Sequence, residues 1–522
     1  MKRYLDIYAT PRLCDALVFL AVFASSFLAL IYTGNFESIK LDDTMYVHTA
    51  DDHMITLRVA RNFSVHGDPY FNLNDAVAAN TSLFWPMILG SMIFVAGHTN
   101  AVIINILLSC MVSAATVSVS TLLVKEIPLK IFVAIFLVMS PTFLSYGATG
   151  WEHVPQTFLV TLAFYLAFRS IQAGAGIPFA TVLVLSLSFV FRPDSAFMIV
   201  GVGALWFFSN SNYKKTRSYV LGAALLAIPA LYLFTMNHYY GDFLPNTAYL
   251  KNLEFWNALK SGMLYVLNPY RSGAFLVLIA LLVFLNSGGR FFLLVLVAGI
   301  SHLVYVVLSG GDVFHDGRFF MVLLPILTVA VVNELRRVFL SKDHSSIAVP
   351  CLLIVSTIFW NHKNVMKDIF VDSESPTIER IRIAHDVNDL IESDEGVIGL
   401  HYLGSGYHFD KFDIIDFLGK ADSHIARTEV KFGPVGHNKW DYDYAFENYD
   451  IAVIPMSQRT VSDVTAEDFS IENKDFMFWN VATAKIIETD NYVYLAPELF
   501  GNRSTGAFVR KDLAPRFSET VE

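Results

Sequence analysis

The chain has 522 residues, of which 54% are hydrophobic and only 16% charged, with a formal net charge of −10. It is too apolar for a single soluble core and too long for one domain, so composition points to a polytopic membrane protein. From Asn361 onward acids outnumber bases by about 13, which assigns the acidity to a soluble tail and argues against nucleic acid as a partner.

The first apolar run, 13–32, follows Lys2, Arg3 and Arg12 and is near the length that crosses a bilayer, so it reads as a retained anchor. Further runs occur near 101–124, 131–147, 154–168, 176–191, 195–208, 219–236, 273–286, 291–308, 319–338 and 346–361. One more, 82–97, decides the parity of the whole chain. If it lies flat on the membrane, the compact basic loops at Lys125/Lys130, Arg169, Lys214/Lys215/Arg217, Arg290 and Arg336/Arg337/Lys342 fall on the cytoplasmic side. If it spans, they all flip outward. The positive-inside rule therefore predicts an interfacial helix there and about eleven spans. Cys14, Cys110 and Cys351 lie in or beside apolar runs without CxxC or Cys/His spacing, so neither a disulfide framework nor a thiolate metal site is indicated.

This topology puts 33–81, 148–153, 192–194, 237–272, 309–318 and the tail outside, and those segments hold the unusual residues. Asp51 and Asp52 are consecutive, so on a helix they diverge by about 100° and face different partners. One carboxylate can act as a general base while the other caps; acids in a first helical turn also serve the helix dipole. Arg58 and Arg61 follow where they could orient a carboxylate or meet a phosphate, or act as interfacial anchors. Arg192-Pro193-Asp194 and Gly311-Asp312 to Arg318 each place a guanidinium at the outer end of a span, suited to a phosphate or to snorkelling at headgroup level. His315, beside Asp316, is a candidate metal or phosphate contact, or a plain surface histidine. Span interiors carry almost no charge, which disfavours an ion pump or a lipid-linked-sugar transporter.

The tail, 362–522, alternates an amphipathic helix near 376–391 with strand-like runs at 396–401, 412–417, 451–455 and 492–495, which predicts an α/β domain distinct from a membrane domain at 1–361.

In chain order, Asp51-Asp52 with Phe71-Asn72 and Asn80 to Trp85, Gly150-Trp151-Glu152, Phe191 to Asp194, Tyr240 to Thr247, Gly310-Gly311-Asp312 to Arg318-Phe319, Ile415 to Asp422, and Gly436-His437-Asn438-Lys439 form an ordered set. It resembles the bacterial GT-C fold glycosyltransferases that use polyprenyl-phosphate sugars, and among them the terminal arabinofuranosyltransferase-like branch. Trp151, His153 and Asp194 depart from that branch's usual residues, which bears on sugar or acceptor identity.

The resemblance implies a multi-pass protein of the bacterial inner membrane, with its active site and tail on the periplasmic side. Its partners would be the bilayer, a polyprenyl phosphate-linked sugar, and a glycan, lipid-glycan or protein acceptor. Asp51 or Asp52 would be the base, and Arg58, Arg192, Lys251, His315 and Arg318 the phosphate ligands. Glu152, Asp194, Asn246, Asp312, Asp416, Asp422 and His437 would contact substrate. No dedicated metal-ligand spacing is present, although a divalent cation is compatible with so many carboxylates. A ligase or polymerase acting on a diphosphate-linked donor is the rival enzyme reading.

Overall fold

The computed structural model describes residues 13–33, 36–268, 278–279, 289–314, 317–340, 375–431, 433, 435–465 and 478–519. Two of the expected spans, 273–286 and 346–361, lie almost wholly or wholly outside them. Among the described residues, five helices are long and apolar enough to cross a membrane: Ala16–Thr33, Ala101–Thr121, His153–Gln172, Thr216–Tyr240 and Arg290–Leu308. Phe84–Ala96, Ile127–Val138, Phe179–Phe191 and Ser195–Phe208 are shorter apolar helices. At about 1.5 Å per residue, the 13 residues of Phe84–Ala96 extend roughly 20 Å, short of a hydrocarbon core of about 30 Å. The run expected at 131–147 is broken into Ile127–Val138 and Pro141–Tyr146. Proline cannot continue a helix from within, and the Ser140 hydroxyl accepts from the Phe143 N–H to start a new one.

The chain divides into two compact units. One contains Met1–Asn35, Ile104–Phe234 and Leu253–Phe370; the other contains Phe36–Ile103, Thr235–Asn252 and Val371–Glu522. The single boundary expected at 361/362 is therefore corrected, because two earlier segments belong with the tail. Burial supplies the reason.

In the tail-containing unit, strands β3 (Val397–Leu400), β4 (Ile414–Asp416), β5 (Ile451–Ser457), β6 (Tyr492–Leu495) and β7 (Thr505–Arg510) form one sheet in the order β4-β3-β5-β7-β6. Strands β1 (Glu37–Leu41) and β2 (Thr44–His48) form a separate antiparallel hairpin. β3 pairs in parallel with β4 and β5, and β7 runs antiparallel to β5 and β6. Central β5 reads Ile-Ala-Val-Ile, buried at every one of these positions, as a strand covered on both faces must be.

Two apolar clusters provide that cover. One includes Trp440, Tyr442, Ala445, Ile454 and Ile486. The other joins Ile383, Ala384 and Val387 of the helix Pro376–Leu390 to Ile398, Phe409 and Val453, and also takes in Ile55, Val59 and Phe71 from the first long loop. The helix Asp51–His66 is thus a core element of the tail's own fold. On another side it meets Phe84–Ala96 so closely that a Cβ on Gly90 would lie 2.6 Å from the Ala60 carbonyl oxygen. Buried by both neighbours, it shows no single apolar stripe.

In the other unit, Phe179–Phe191 packs on His153–Gln172, and Ser195–Phe208 packs on Arg290–Leu308. These contacts fix the chain at Arg192-Pro193-Asp194, between the second and third of the four helices.

Candidate active site

Asp51 and Asp52 occupy the first turn of Asp51–His66, behind an Ala50 N-cap that offers no side-chain acceptor. Their divergence gives each its own partner. Asp51 Oδ1 accepts from the Gly404 N–H at 3.1 Å, and the Asp52 carboxylate forms an ion pair with the Lys420 ammonium. Burial, and then the adjacent Asp52 charge, push the Asp51 carboxyl up to about 6, against the pull of Arg380 and Lys420.

Gly404 is required for this approach, because a Cβ there would stand 2.2 Å from the Asp51 carbonyl oxygen. Gly404→Ala is expected to displace the first turn and cost about 1–3 kcal/mol through overpacking. The melting temperature should fall accordingly; an unchanged value would show that the contact does not position the acids.

The turn that carries Lys420 is heavily braced. Asp416 Oδ1 accepts from the Leu418 N–H at 3.0 Å and Oδ2 from the Ala421 N–H at 2.8 Å, around Gly419 at φ 78°. Burial raises the Asp416 carboxyl to about 6 despite these bonds. The Asn246 amide donates to the carbonyls of Gly419 at 2.8 Å, Lys420 at 3.2 Å and Asp422 at 3.0 Å. Asp422 accepts from the Ile425 N–H at 2.8 Å and from the Tyr449 hydroxyl at 3.2 Å. Asn246, Asp416 and Asp422, expected as substrate contacts, are therefore reassigned to holding this turn. Asn246→Ala strips a donor from three carbonyls, at about 1–3 kcal/mol. Faster amide exchange across 419–425 is the expected sign, and unchanged protection there would contradict the bracing role.

His437 and Lys251 complete the group. A Cβ on Gly436, beside His437, would lie 3.6 Å from Lys251 Cε. Burial lowers the His437 pKa most strongly, and the charges of Asp52, Lys420 and Lys251 all act on it. Two acids, two lysines and a histidine thus cluster within one unit.

Arg58 has a different role from the phosphate contact expected. It is buried, and its guanidinium donates to the carbonyls of Phe71, Gly406, Phe409 and Phe412. It pins the helix to the tail's loops. Arg61 donates to the Tyr407 carbonyl at 3.2 Å, with its guanidinium over that ring.

In the membrane-helix unit, Arg192 bonds Glu152 Oε1 at 2.7 Å and Asp194 Oδ2 at 3.0 Å, and Gln156 donates to Asp194 Oδ1 at 2.7 Å. Arg318 grips Asp312 through two nitrogens at 2.7 Å each and lies 4.3 Å from the ring centres of both Trp151 and Phe314. Gly310 and Gly311 both have positive φ, and a Cβ on Gly311 would lie 2.5 Å from Tyr265 Cβ. The four carboxylate and arginine positions at 152, 192, 194 and 312, together with Arg318, form internal ion pairs, so both guanidiniums carry bound carboxylates rather than presenting a bare cation. His315 lies outside the described residues.

Among the described residues, one group of three ligating side chains converges within 4.8 Å: Asp42, His385 and Asp389. It includes neither Asp51 nor Asp52. Lys420, which stands in the run Ile415 to Asp422 with no role of its own expected, pairs with an acid 368 positions away. Gly419-Lys420-Ala421-Asp422 signals a turn, but nothing local signals the carboxylate it meets.

The long apolar helices and the α/β tail describe a polytopic membrane protein, and superposition on solved structures gives it the GT-C fold. ArnT from Cupriavidus metallidurans bound to undecaprenyl phosphate superposes with a TM-score of 0.55 at 12% identity, covering 94% of this chain and 97% of that one. The Archaeoglobus fulgidus oligosaccharyltransferase superposes with a TM-score of 0.54 at 10% identity, over 85% of this chain and 70% of that one. In sequence, the chain is 24% identical over 361 residues to a terminal β-(1→2)-arabinofuranosyltransferase of Corynebacterium glutamicum, covering 60% of this chain and 51% of that protein. The chain thus spans about half the length of this curated relative. No family model matches it.

Proposed function

We propose that the chain is an inverting membrane glycosyltransferase that moves a sugar from a polyprenyl phosphate donor to a hydroxyl of a cell-envelope glycan, lipid-linked glycan or surface protein. The observation that carries this reading is the Asp52–Lys420 pair within a group that also holds Asp51, Lys251 and His437. Glycosyl transfer from a lipid phosphate needs a carboxylate to take the acceptor proton and cations to receive the departing phosphate. This group contains both. The fold shared with ArnT and the relation to an arabinofuranosyltransferase support the donor class and make arabinofuranose the first sugar to test.

In this reading Asp52 is the base. It pairs with the Lys420 side chain and is part-exposed, whereas Asp51 is tied to Gly404. The acceptor oxygen attacks the anomeric carbon in line, its proton goes to Asp52, and the electron pair of the breaking C–O bond leaves on the phosphate. Lys251, Lys420 and His437 stand as its ligands, whereas Arg192 and Arg318 each brace the loop that carries them. The basic-loop distribution supports an inner-membrane protein with this chemistry on the periplasmic side.

Purified protein supplied with synthetic polyprenyl phosphate arabinofuranose and a short glycan acceptor tests the reading by mass spectrometry of the product. Transfer that Asp52→Asn abolishes supports it. No transfer from this or any other polyprenyl monophosphate sugar overturns it. The similarity to an oligosaccharyltransferase favours a second reading, a ligase using a diphosphate-linked donor; the number of phosphates on co-purified lipid separates the two.

A further inference from the structure

We propose that Lys420 changes partner during the reaction, leaving Asp52 for the donor's phosphate, so that the base is released only once the donor is in place. The inference rests on the glycosyl-transfer reading and adds an order of events to it.

Four features carry it. The backbone of the Lys420 turn is fixed by Asp416, Asn246 and Asp422, so the turn itself has little freedom. The lysine side chain is a flexible four-carbon stem bearing a point charge, which can redirect its ammonium without moving that backbone. Both members of the pair have side chains 23% exposed, so an incoming ligand can reach them. Lys251 and His437 lie in the same group, and a phosphate entering it meets several donors together.

The donor's phosphodiester, with one negative charge, matches a single carboxylate in its pull on an ammonium, and the monoester dianion it becomes as the sugar leaves exceeds it. A carboxylate held by an ammonium also accepts a proton less readily than one that has been released. A donor in place therefore begins to draw Lys420 from Asp52, and the charge that grows on the phosphate as the sugar leaves completes the exchange and sharpens Asp52. In the transfer step the acceptor oxygen forms its bond to the anomeric carbon as the bond to the phosphate oxygen breaks. The proton passes to Asp52, and the extra negative charge on the phosphate is met by Lys420. No other reactant is needed.

Competition has a thermodynamic signature that does not depend on turnover. The experiment measures the affinity of full-length protein in detergent for farnesyl phosphate, which carries the monoester phosphate of the departing lipid, in the wild type, Asp52→Asn, Lys420→Met and the double variant. Asp52→Asn removes the competitor and is expected to tighten binding about tenfold, within the usual range of coupling between sites. Lys420→Met should weaken binding, and in its presence Asp52→Asn should bring no gain. Lys420→Arg should keep most of the wild-type affinity. Inorganic phosphate, which lacks the lipid chain, should show the same relative gain at lower affinity, because the competition involves the phosphate alone.

Unchanged or weaker binding by an Asp52→Asn protein that unfolds at the wild-type temperature would overturn the exchange, as would a gain that persists with Met at position 420. Loss of transfer in Asp52→Asn with unaltered affinity would sink the exchange and leave the transferase reading standing. Full transfer by Asp52→Asn would remove the base, and this inference with it.

Discussion

Asp52→Asn is expected to lower transfer by about 10²- to 10⁴-fold, while Asp51→Asn retains most of it. The amide at 52 cannot take a proton from the acceptor, although it nearly matches the carboxylate in shape. At 51, an amide oxygen can still accept from the Gly404 N–H, so the first turn keeps its seat. The two variants should also differ in stability. Burial and Asp52 raise the Asp51 carboxyl to about 6 from 3.8. A raised folded-state value means a contribution fully present below about 4 and lost as pH climbs through about 6, because the charge must then be held in a desolvated place. Asp51→Asn should therefore match or exceed wild-type thermal stability at pH 8 and lose that advantage toward pH 4. Asp52→Asn should gain nothing comparable, since Lys420 already compensates its charge. Transfer rates and melting temperatures of both variants at pH 5 and pH 8 provide the check. Severe loss of turnover in Asp51→Asn alongside near-normal turnover in Asp52→Asn would reverse the assignment.

What could be read in the sequence follows from how local each signal is. Apolar runs and the positive-inside count mark helices because length and burial are properties of contiguous residues, and the first span is legible to within a residue or two. The tail's strands were legible for the same reason: the runs at 396–401, 412–417, 451–455 and 492–495 contain β3 to β6 or their greater part. β7, Thr505–Arg510, was not read as a strand although it pairs with both β5 and β6. Its sequence, Thr-Gly-Ala-Phe-Val-Arg, has a glycine and an alanine where a strand signal needs branched or aromatic residues.

The Asp pair and its divergence were legible because helix geometry is local. Its partners were not, since Gly404 and Lys420 are brought there by a fold in which Ile55, Val59 and Phe71 share the tail's core. The same limit explains the reassigned residues. Asn246, Asp416 and Asp422 carry the chemistry of substrate contacts, and only three-dimensional pairing reveals that their hydrogen bonds go to the backbone.

Arg192→Ala should cost about 3–5 kcal/mol, because it leaves Glu152 and Asp194 as uncompensated carboxylates. The side chains of Arg192 and Asp194 are only 6% and 4% exposed, so water cannot replace the lost cation cheaply. Gln156 would still donate to Asp194 at 2.7 Å, but a neutral amide cannot offset two charges. The damage should spread to the short helices that end and begin on either side, Phe179–Phe191 and Ser195–Phe208, since Arg192-Pro193-Asp194 is the link they share. Arg192→Lys should recover only part of the loss, because an ammonium cannot reproduce the guanidinium's separate bonds to Glu152 and Asp194. Adding Glu152→Gln to Arg192→Ala removes one of the stranded charges and should raise the melting temperature of the single variant. That partial rescue separates an ion-pair role from a phosphate ligand. If Arg192 instead served the donor directly, the single variant would keep its thermal stability and lose farnesyl phosphate affinity, and Glu152→Gln would not restore that affinity. Unfolding curves and affinities of the four proteins decide between these outcomes, and the ion-pair geometry favours the first.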